Sequence, residues 1–343
     1  MGIKNLVAGP NHGKVSKWNK AKRKINSIVL KKTTGTFLQF WLYRSYWQYK
    51  FYPKKENTSF DACYFTAIPN AGAGIGHQLA NWIAGYWFAN QFGLKFAHAP
   101  FSSKNWEDFF GFGINEPKAS ELIKSGYAKV RLPLFHEHNK SEIAIIKDII
   151  QSYGNRKVVF VAAQDQYYKA QFGVIAAIKN KFYSATARNS NKLIFNPDHY
   201  NVAIHVRRGD IVTDISNKIH NKSARFQSND YFITTLTNTL QQLNTHKPVF
   251  IYLFSQGDAK DFKVFEEFPN LRLCLEMGAM DSFNHMVHAD VLITSRSSFS
   301  YKAALLNNGL KVCPANFWHG YPASDDFVLV DDDGEFKQKE CTN

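Results

Sequence analysis

The residues best suited to chemistry lie in Ile204-His-Val-Arg-Arg-Gly-Asp-Ile211. They end an apolar run, Asn201-Val-Ala-Ile-His-Val206, that reads as a β-strand. That is where a parallel sheet binds its ligands. Arg207 and Arg208 can present guanidinium forks to phosphate oxygens. Gly209 permits a tight turn, and Asp210 can orient an arginine or take a proton. A second segment, Thr294-Ser-Arg-Ser-Ser-Phe-Ser300, sits at another strand-to-helix junction. The N–H groups of a helix start, flanked by Ser297 and Ser298, suit an anion. As isolated residues Arg207, Arg208 and Asp210 have a plainer reading as surface ion pairs and a turn cap, but His-x-Arg-Arg-Gly-Asp after a strand favours function, whereas the second segment alone also reads as ordinary helix capping. Paired, they supply the two halves of a diphosphate cradle.

A third segment, Ala71-Gly-Ala-Gly-Ile-Gly-His-Gln78, follows a first strand and opens a helix. Gly72, Gly74 and Gly76 stand two apart, and Ala97-His98 rather than an acid closes the next strand. A dinucleotide fingerprint is therefore rejected. The loop can still touch a sugar donor or acceptor, with His77 and Gln78 as its polar groups. Val328-Leu-Val-Asp-Asp-Asp-Gly334 imitates a strand followed by an acidic metal motif but reads as a solvated turn. His136-Glu-His138 lacks the i, i+4 spacing of helical metal ligands and reads as a surface loop. GxxxxGK[ST] and GxSxG do not occur, which excludes a P-loop and argues against a nucleophile-elbow hydrolase.

The elements that must position these groups follow from periodicity. Strands are predicted over 61–68, 94–97, 157–163, 201–206, 248–254, 271–275, 291–294 and 310–313. Helices are predicted over 77–92, 230–243, 259–268, 282–288 and 298–307, with Gly93 as a C-terminal stop and Asp281 as an N-cap. Strict alternation argues for an α/β fold with doubly wound parallel sheets. The polar stretch Asn189–Pro197 marks a boundary between an N-terminal lobe, 60–195, and a C-terminal lobe, 196–343.

The 343 residues are 45% hydrophobic and 20% charged, which excludes a disordered, collagenous or coiled-coil chain. Cys63, Cys274, Cys313 and Cys341 show no CxxC spacing, so a disulfide scaffold or zinc ribbon is out. The net charge of +14 is uneven: residues 1–55 hold 13 Lys/Arg and no acid, leaving 29 Lys/Arg against 28 Asp/Glu. A near-neutral body argues against a broad nucleic-acid face. Residues 1–35 read as a basic disordered arm, without an apolar signal-peptide core and with Leu6 where myristoylation needs Ser or Thr. Residues 36–59 form an aromatic amphipathic segment too interrupted to span a bilayer. It suits either an anionic membrane surface, contacted through residues 1–52, or packing on the body. The expected location is cytoplasmic, with peripheral membrane contact as an addition. The sequons at Asn57, Asn139 and Asn221 read as accidental.

His205-Val-Arg-Arg-Gly-Asp210 resembles the first motif of the α1,2-, α1,6- and protein O-fucosyltransferase superfamily, and is most like the α1,2 branch. Met286–Asn307 resembles that superfamily's later motif. Ser255-Gln-Gly-Asp258 resembles the middle one, and Gly74-Ile-Gly-His-Gln78 the N-terminal glycine loop. The likeness runs over about residues 61–320. It implies a GT-B-type enzyme of two Rossmann-like lobes, an inverting transfer from GDP-fucose to a glycan hydroxyl, and no required metal or other cofactor. By position, Arg207 and Arg208 match the family's motif arginines, at least one of which binds the donor diphosphate, Ser297 and Ser298 phosphate-side serines, and His205, Ser255 and Asp281 positions near the nucleotide. Gly74, Gly76, His77 and Gln78 match the donor-side loop, although His77 stands where the family has Asn. Asp210 and Asp214 are the candidate acids for deprotonating the acceptor. The α1,2 linkage is expected, with α1,6 transfer or another nucleotide sugar as the enzyme alternatives. A membrane or nucleic-acid binder acting through its basic arm is the non-enzymatic alternative.

Overall fold

The computed structural model describes residues 32–33, 36–52, 60–162, 168–188, 192–209 and 225–337. Asp210, Asp214 and nearly all of the basic arm lie outside the described residues. The chain divides into two compact units, residues 1–174 and 175–343.

The first unit begins with two short helices, α1 (Leu38–Trp41) and α2 (Arg44–Phe51). They bury Gln39, Phe40, Tyr43, Ser45 and Tyr46. Ser45 Oγ donates to the Arg131 carbonyl at 2.7 Å, and Gln39 Nε2 donates to that of Leu134 at 3.0 Å. The aromatic segment is thus packed on the body through one face. There follow β1 (Cys63–Ala67), α3 (Ile75–Gln91), β2 (Lys95–Phe96), α4 (Lys104–Phe110), α5 (Ala119–Lys124), β3 (Ala128–Arg131), α6 (Lys140–Ser152) and β4 (Val158–Ala162). The strands form one parallel sheet in the order β2-β1-β4-β3. Helix α3 lies close over β1. A Cβ on Gly85 would stand 2.8 Å from the Ala67 Cβ, so glycine is what this approach requires. The helix stops as predicted at Gly93, whose φ is +64°. Leu94 N–H bonds the Ala89 carbonyl and Gly93 N–H that of Asn90, the paired bonds of a Schellman end.

The second unit contains α7 (Ile175–Ser184), β5 (Tyr200–His205), α8 (Asn229–Gln242), β6 (Val249–Phe254), β7 (Leu271–Cys274), α9 (Ala279–His288), β8 (Val291–Ile293), α10 (Ser298–Leu306), β9 (Leu310–Pro314) and β10 (Phe327–Val330). Helix α7 belongs here rather than with the residues before it. Lys179 Nζ donates to the Asn307 carbonyl at 2.9 Å and Tyr183 OH to that of Leu306 at 3.0 Å. All six strands are parallel, in the order β10-β9-β8-β5-β6-β7. Counted from β5, this is the doubly wound order 6-5-4-1-2-3 of a Rossmann sheet. Val202, Ile204 and Val206, two apart along β5 and its continuation, pack in one core with Phe232 and Leu236 of α8 and with Phe262 and Phe265. The reversal point of the sheet lies between β5 and β8.

Three expectations are corrected. Residues Ala259–Glu267 are a 3₁₀ helix rather than an α-helix, with Phe262 and Phe265 three apart on the buried side. Helix α9 starts at Ala279 behind Gly278, so Asp281 lies in its first turn and is not its N-cap. The chain does not stop pairing at Cys313: β10 adds an edge strand, and the acidic run follows it.

Candidate functional site

In a doubly wound sheet ligands bind outside the strand ends where the order reverses, and both flagged segments leave the sheet there, at the ends of β5 and β8. They are 90 residues apart in sequence, yet His205 Nδ1 and Ser295 Oγ share a hydrogen bond of 2.8 Å. Arg207 Nη1 donates to Ser297 Oγ at 3.0 Å. Ser297 is the N-cap of the nine-residue α10 and accepts from the Phe299 N–H at 3.3 Å. Ser298 opens the helix. Arg207 therefore stands at the positive end of a helix, whose first-turn N–H groups have no intrahelical acceptor. A cationic fork, serine hydroxyls and helix-start N–H groups converge there on one place, an arrangement suited to the oxygens of a diphosphate.

Arg208 turns the other way, as alternation along an extended segment requires. Its Nη1 donates to the Arg207 and Gln227 carbonyls, each at 3.0 Å, and its Nη2 to Asn229 Oδ1 at 2.6 Å. Its guanidinium carbon also lies 4.7 Å from the centre of the Phe226 ring. These partners make Arg208 a brace between the β5 loop and the start of α8. The two arginines are thus separated into different roles that their adjacency conceals.

His205 is held neutral. Loss of water around the ring, helped by the Arg207 charge, pushes its pKa down to about 3. A neutral imidazole beside Arg207 avoids a second positive charge and fixes Ser295. Gly209 has φ +63°, a conformation that favours glycine, and the Gln256 side chain of the β6 loop crowds its open side. Ser255 Oγ donates to the Val206 carbonyl at 2.6 Å and so ties the β6 loop to the β5 loop. Asp281 lies in the first turn of α9, the helix that returns from edge strand β7 and packs on β5 and α10, with its carbonyl accepting from His285 Nδ1 at 2.6 Å.

The acidic run is engaged within the unit. Asp331 Oδ1 accepts the N–H groups of Asp333 and Glu335, and Asp332 pairs with Arg296 and accepts from Asn316 Nδ2. The turn therefore anchors the residue between Ser295 and Ser297. Among the described residues, no three His, Cys, Asp or Glu side chains group as a metal site.

The glycine loop belongs to the first unit. A Cβ on Gly74 would meet open space, so no close approach there requires glycine. Gly76 is buried in the first turn of α3, and His77 is half-buried there. Gln78 is buried with its amide already engaged: Nε2 donates to the Ala73 carbonyl and to Ser102 Oγ, each at 2.8 Å, and Oε1 accepts from the Ser102 N–H at 2.9 Å. It braces the loop.

Sequence reasoning missed Ser295, Arg296, Gln227 and Asn229. Ser295 and Arg296 stood inside a flagged segment, and their roles depend on partners remote in sequence. Ser228-Asn-Asp is a recognisable helix start, with Ser228 Oγ accepting from the Tyr231 N–H at 3.2 Å.

No family model and no curated protein matches the chain. Solved structures do. NodZ α-1,6-fucosyltransferase co-crystallised with GDP is 14% identical, with 73% of this chain and 93% of that one covered at a TM-score of 0.37. Fucosyltransferase NodZ from Bradyrhizobium is 14% identical, with 73% and 94% covered at 0.35. POFUT1 in complex with GDP is 12% identical, with 74% and 96% covered at 0.42. At these values the likeness is a loose one.

Proposed function

We propose that the chain is an inverting glycosyltransferase of GT-B type that moves fucose from GDP-fucose to a glycan hydroxyl. The observation that carries the reading is the Arg207–Ser297 pair at the start of α10, where the Rossmann order reverses. Guanine and fucose enter through the resemblance of His205–Asp210 to the fucosyltransferase motif. The α1,2 linkage rests on the same resemblance, with α1,6 transfer as its rival.

In the proposed reaction the bond from the anomeric carbon to the diphosphate breaks, and charge grows on the leaving phosphate. Arg207 and the N-terminus of α10 meet that charge with donors already in place. His205 and Ser255 act as positioning residues. An acid takes the acceptor proton, with Asp210 and Asp214 as the candidates. Both lie outside the described residues. No metal is required in this scheme, since fixed cationic groups stabilise the leaving group.

The test is a panel of nucleotide sugars incubated with the full chain, with donor hydrolysis and transfer to oligosaccharides followed by mass spectrometry. GDP-fucose should be consumed, and product linkage read by methylation analysis then decides between α1,2 and α1,6. Turnover should survive EDTA. Consumption of UDP-glucose with GDP-fucose untouched would overturn the donor, and EDTA loss restored by Mn²⁺ would overturn metal independence.

A further inference from the structure

Among the described residues, twelve large apolar side chains are exposed, and seven of them fall between Phe37 and Tyr52. They are Phe37, Leu38, Trp41, Leu42, Trp47, Phe51 and Tyr52, between 39% and 72% exposed. The exposure is not that of a frayed end, because Phe40, Tyr43 and Tyr46 of the same segment are 2%, 6% and 2% exposed. The outward rings form a continuous ladder. Phe37 meets Trp41 edge-on at 6.4 Å, Trp41 lies 6.2 Å from Trp47, and Trp47 stacks on Phe51 at 6.0 Å. Trp47 Nε1 donates to the Trp41 carbonyl at 2.9 Å, which fixes the rings as a unit. Water faces this many apolar rings unwillingly, and a patch of this kind marks a docking surface.

Charge selects the occupant. The first 55 residues hold 13 Lys/Arg and no Asp or Glu. Arg44 and Lys50 lie within the patch itself. Aromatic and leucine side chains among lysines suit the headgroup layer of an anionic bilayer. The helices cannot cross it: α2 has eight residues, roughly 12 Å of helix against a core of about 30 Å. No described helix is long and apolar enough to span a membrane. A single strand of nucleic acid is a poorer match, because Trp47 and Phe51 already stack on each other and Leu38 and Leu42 offer nothing to stack on.

We infer that the Phe37–Tyr52 face docks on the surface of an anionic phospholipid bilayer, with its rings in the interface and the basic residues against the headgroups. This inference stands apart from the proposed transfer reaction. The full chain is floated with vesicles of phosphatidylcholine alone and with phosphatidylserine added, at low and high salt. The controls are Trp41→Ser/Trp47→Ser/Phe51→Ser, with its fold checked by circular dichroism, and Ile114→Ser, an exposed apolar residue outside the patch. Binding should be confined to anionic vesicles, weaken with salt, fall about tenfold or more in the triple variant, and persist in Ile114→Ser. Tryptophan emission of the wild type should shift to the blue on binding. Any of four results would overturn the inference: no vesicle binding by folded wild type, binding the triple variant keeps in full, a salt-stable dimer lost in the triple variant without lipid dependence, or binding to a single-stranded oligonucleotide but not to vesicles.

Discussion

Exchanging each arginine of the Arg207-Arg208 pair for lysine separates a ligand-binding role from a bracing role. The lysine variants keep the charge and remove the planar fork. Arg207 places a guanidinium nitrogen 3.0 Å from Ser297 Oγ, at the start of α10. Two unit charges about 4 Å apart interact by about 4 kcal/mol at an effective dielectric constant of about 20. A lysine recovers part of this but cannot make two parallel bonds. Loss of about 3 kcal/mol of transition-state stabilisation is expected, roughly a hundredfold in turnover. The folded state should lose about 1 kcal/mol, the worth of the hydrogen bond to Ser297 Oγ. Arg208→Lys should behave in the opposite sense. It loses bonds to the Gln227 carbonyl and Asn229 Oδ1 and the packing on Phe226. A stability loss of about 1–3 kcal/mol is expected, with turnover per folded molecule within about threefold of wild type. The assays are donor hydrolysis with the best nucleotide sugar, and urea unfolding. Equal turnover losses in both variants, or a loss confined to Arg208→Lys, would refute the division of roles.

The remaining predictions concern stability. His205 and His285 have folded pKa values below the ordinary 6.5, chiefly because burial disfavours the charged ring. His285 has a specific reason to stay neutral: its Nδ1 donates to the Asp281 carbonyl and its Nε2 accepts the Ile194 N–H at 2.9 Å. The stability these rings contribute is complete above pH 6.5 and is lost as pH falls, by up to about 1.4 kcal/mol per pH unit for each ring, down to about pH 3 for His205. Urea unfolding between pH 7.5 and 5 should show this decline, and a flat profile would count against it. Asn307→Ala strips a buried amide from the Met286, Val287 and Ala289 carbonyls and should cost about 2–4 kcal/mol in the same measurement. Gln78→Ala should lower stability by about 1–3 kcal/mol and raise proteolysis at residues 71–74, since it frees the glycine loop from Ser102. An unchanged cleavage pattern would argue against the brace.

The second unit was largely legible because its strands are apolar runs punctuated by turns. Val249–Phe254 and Val291–Ile293 sit inside the sheet and carry little else. Strand β3 was invisible for the converse reason: Ala128-Lys-Val-Arg131 lies at a sheet edge with its side chains largely exposed, so no burial pattern marks it. Helix α6 did carry a signal. Asn139 Oδ1 accepts from the Glu142 N–H at 3.2 Å, the N-cap bond of an Asn-x-x-Glu start, but Asn139 also opens a sequon. The Phe262 and Phe265 spacing fits both an α-helix and a 3₁₀ helix, and the tighter winding is a matter of local packing. In the site, the residue types and the loop were readable, whereas the division between Arg207 and Arg208 was not. Alternation says that neighbours face apart, but only Ser297 and Asn229, distant in sequence, say which one faces the start of α10.

The most direct measurement is a calorimetric titration of the full chain with GDP, GMP, UDP and NAD. A diphosphate cradle at the β5–β8 crossing predicts that GDP binds and that GMP binds at least about tenfold more weakly for want of its second phosphate, and the proposed GDP-fucose donor predicts that UDP and NAD give no comparable heat. Equal affinity for GMP and GDP would contradict the cradle, and preference for UDP or NAD would contradict the donor.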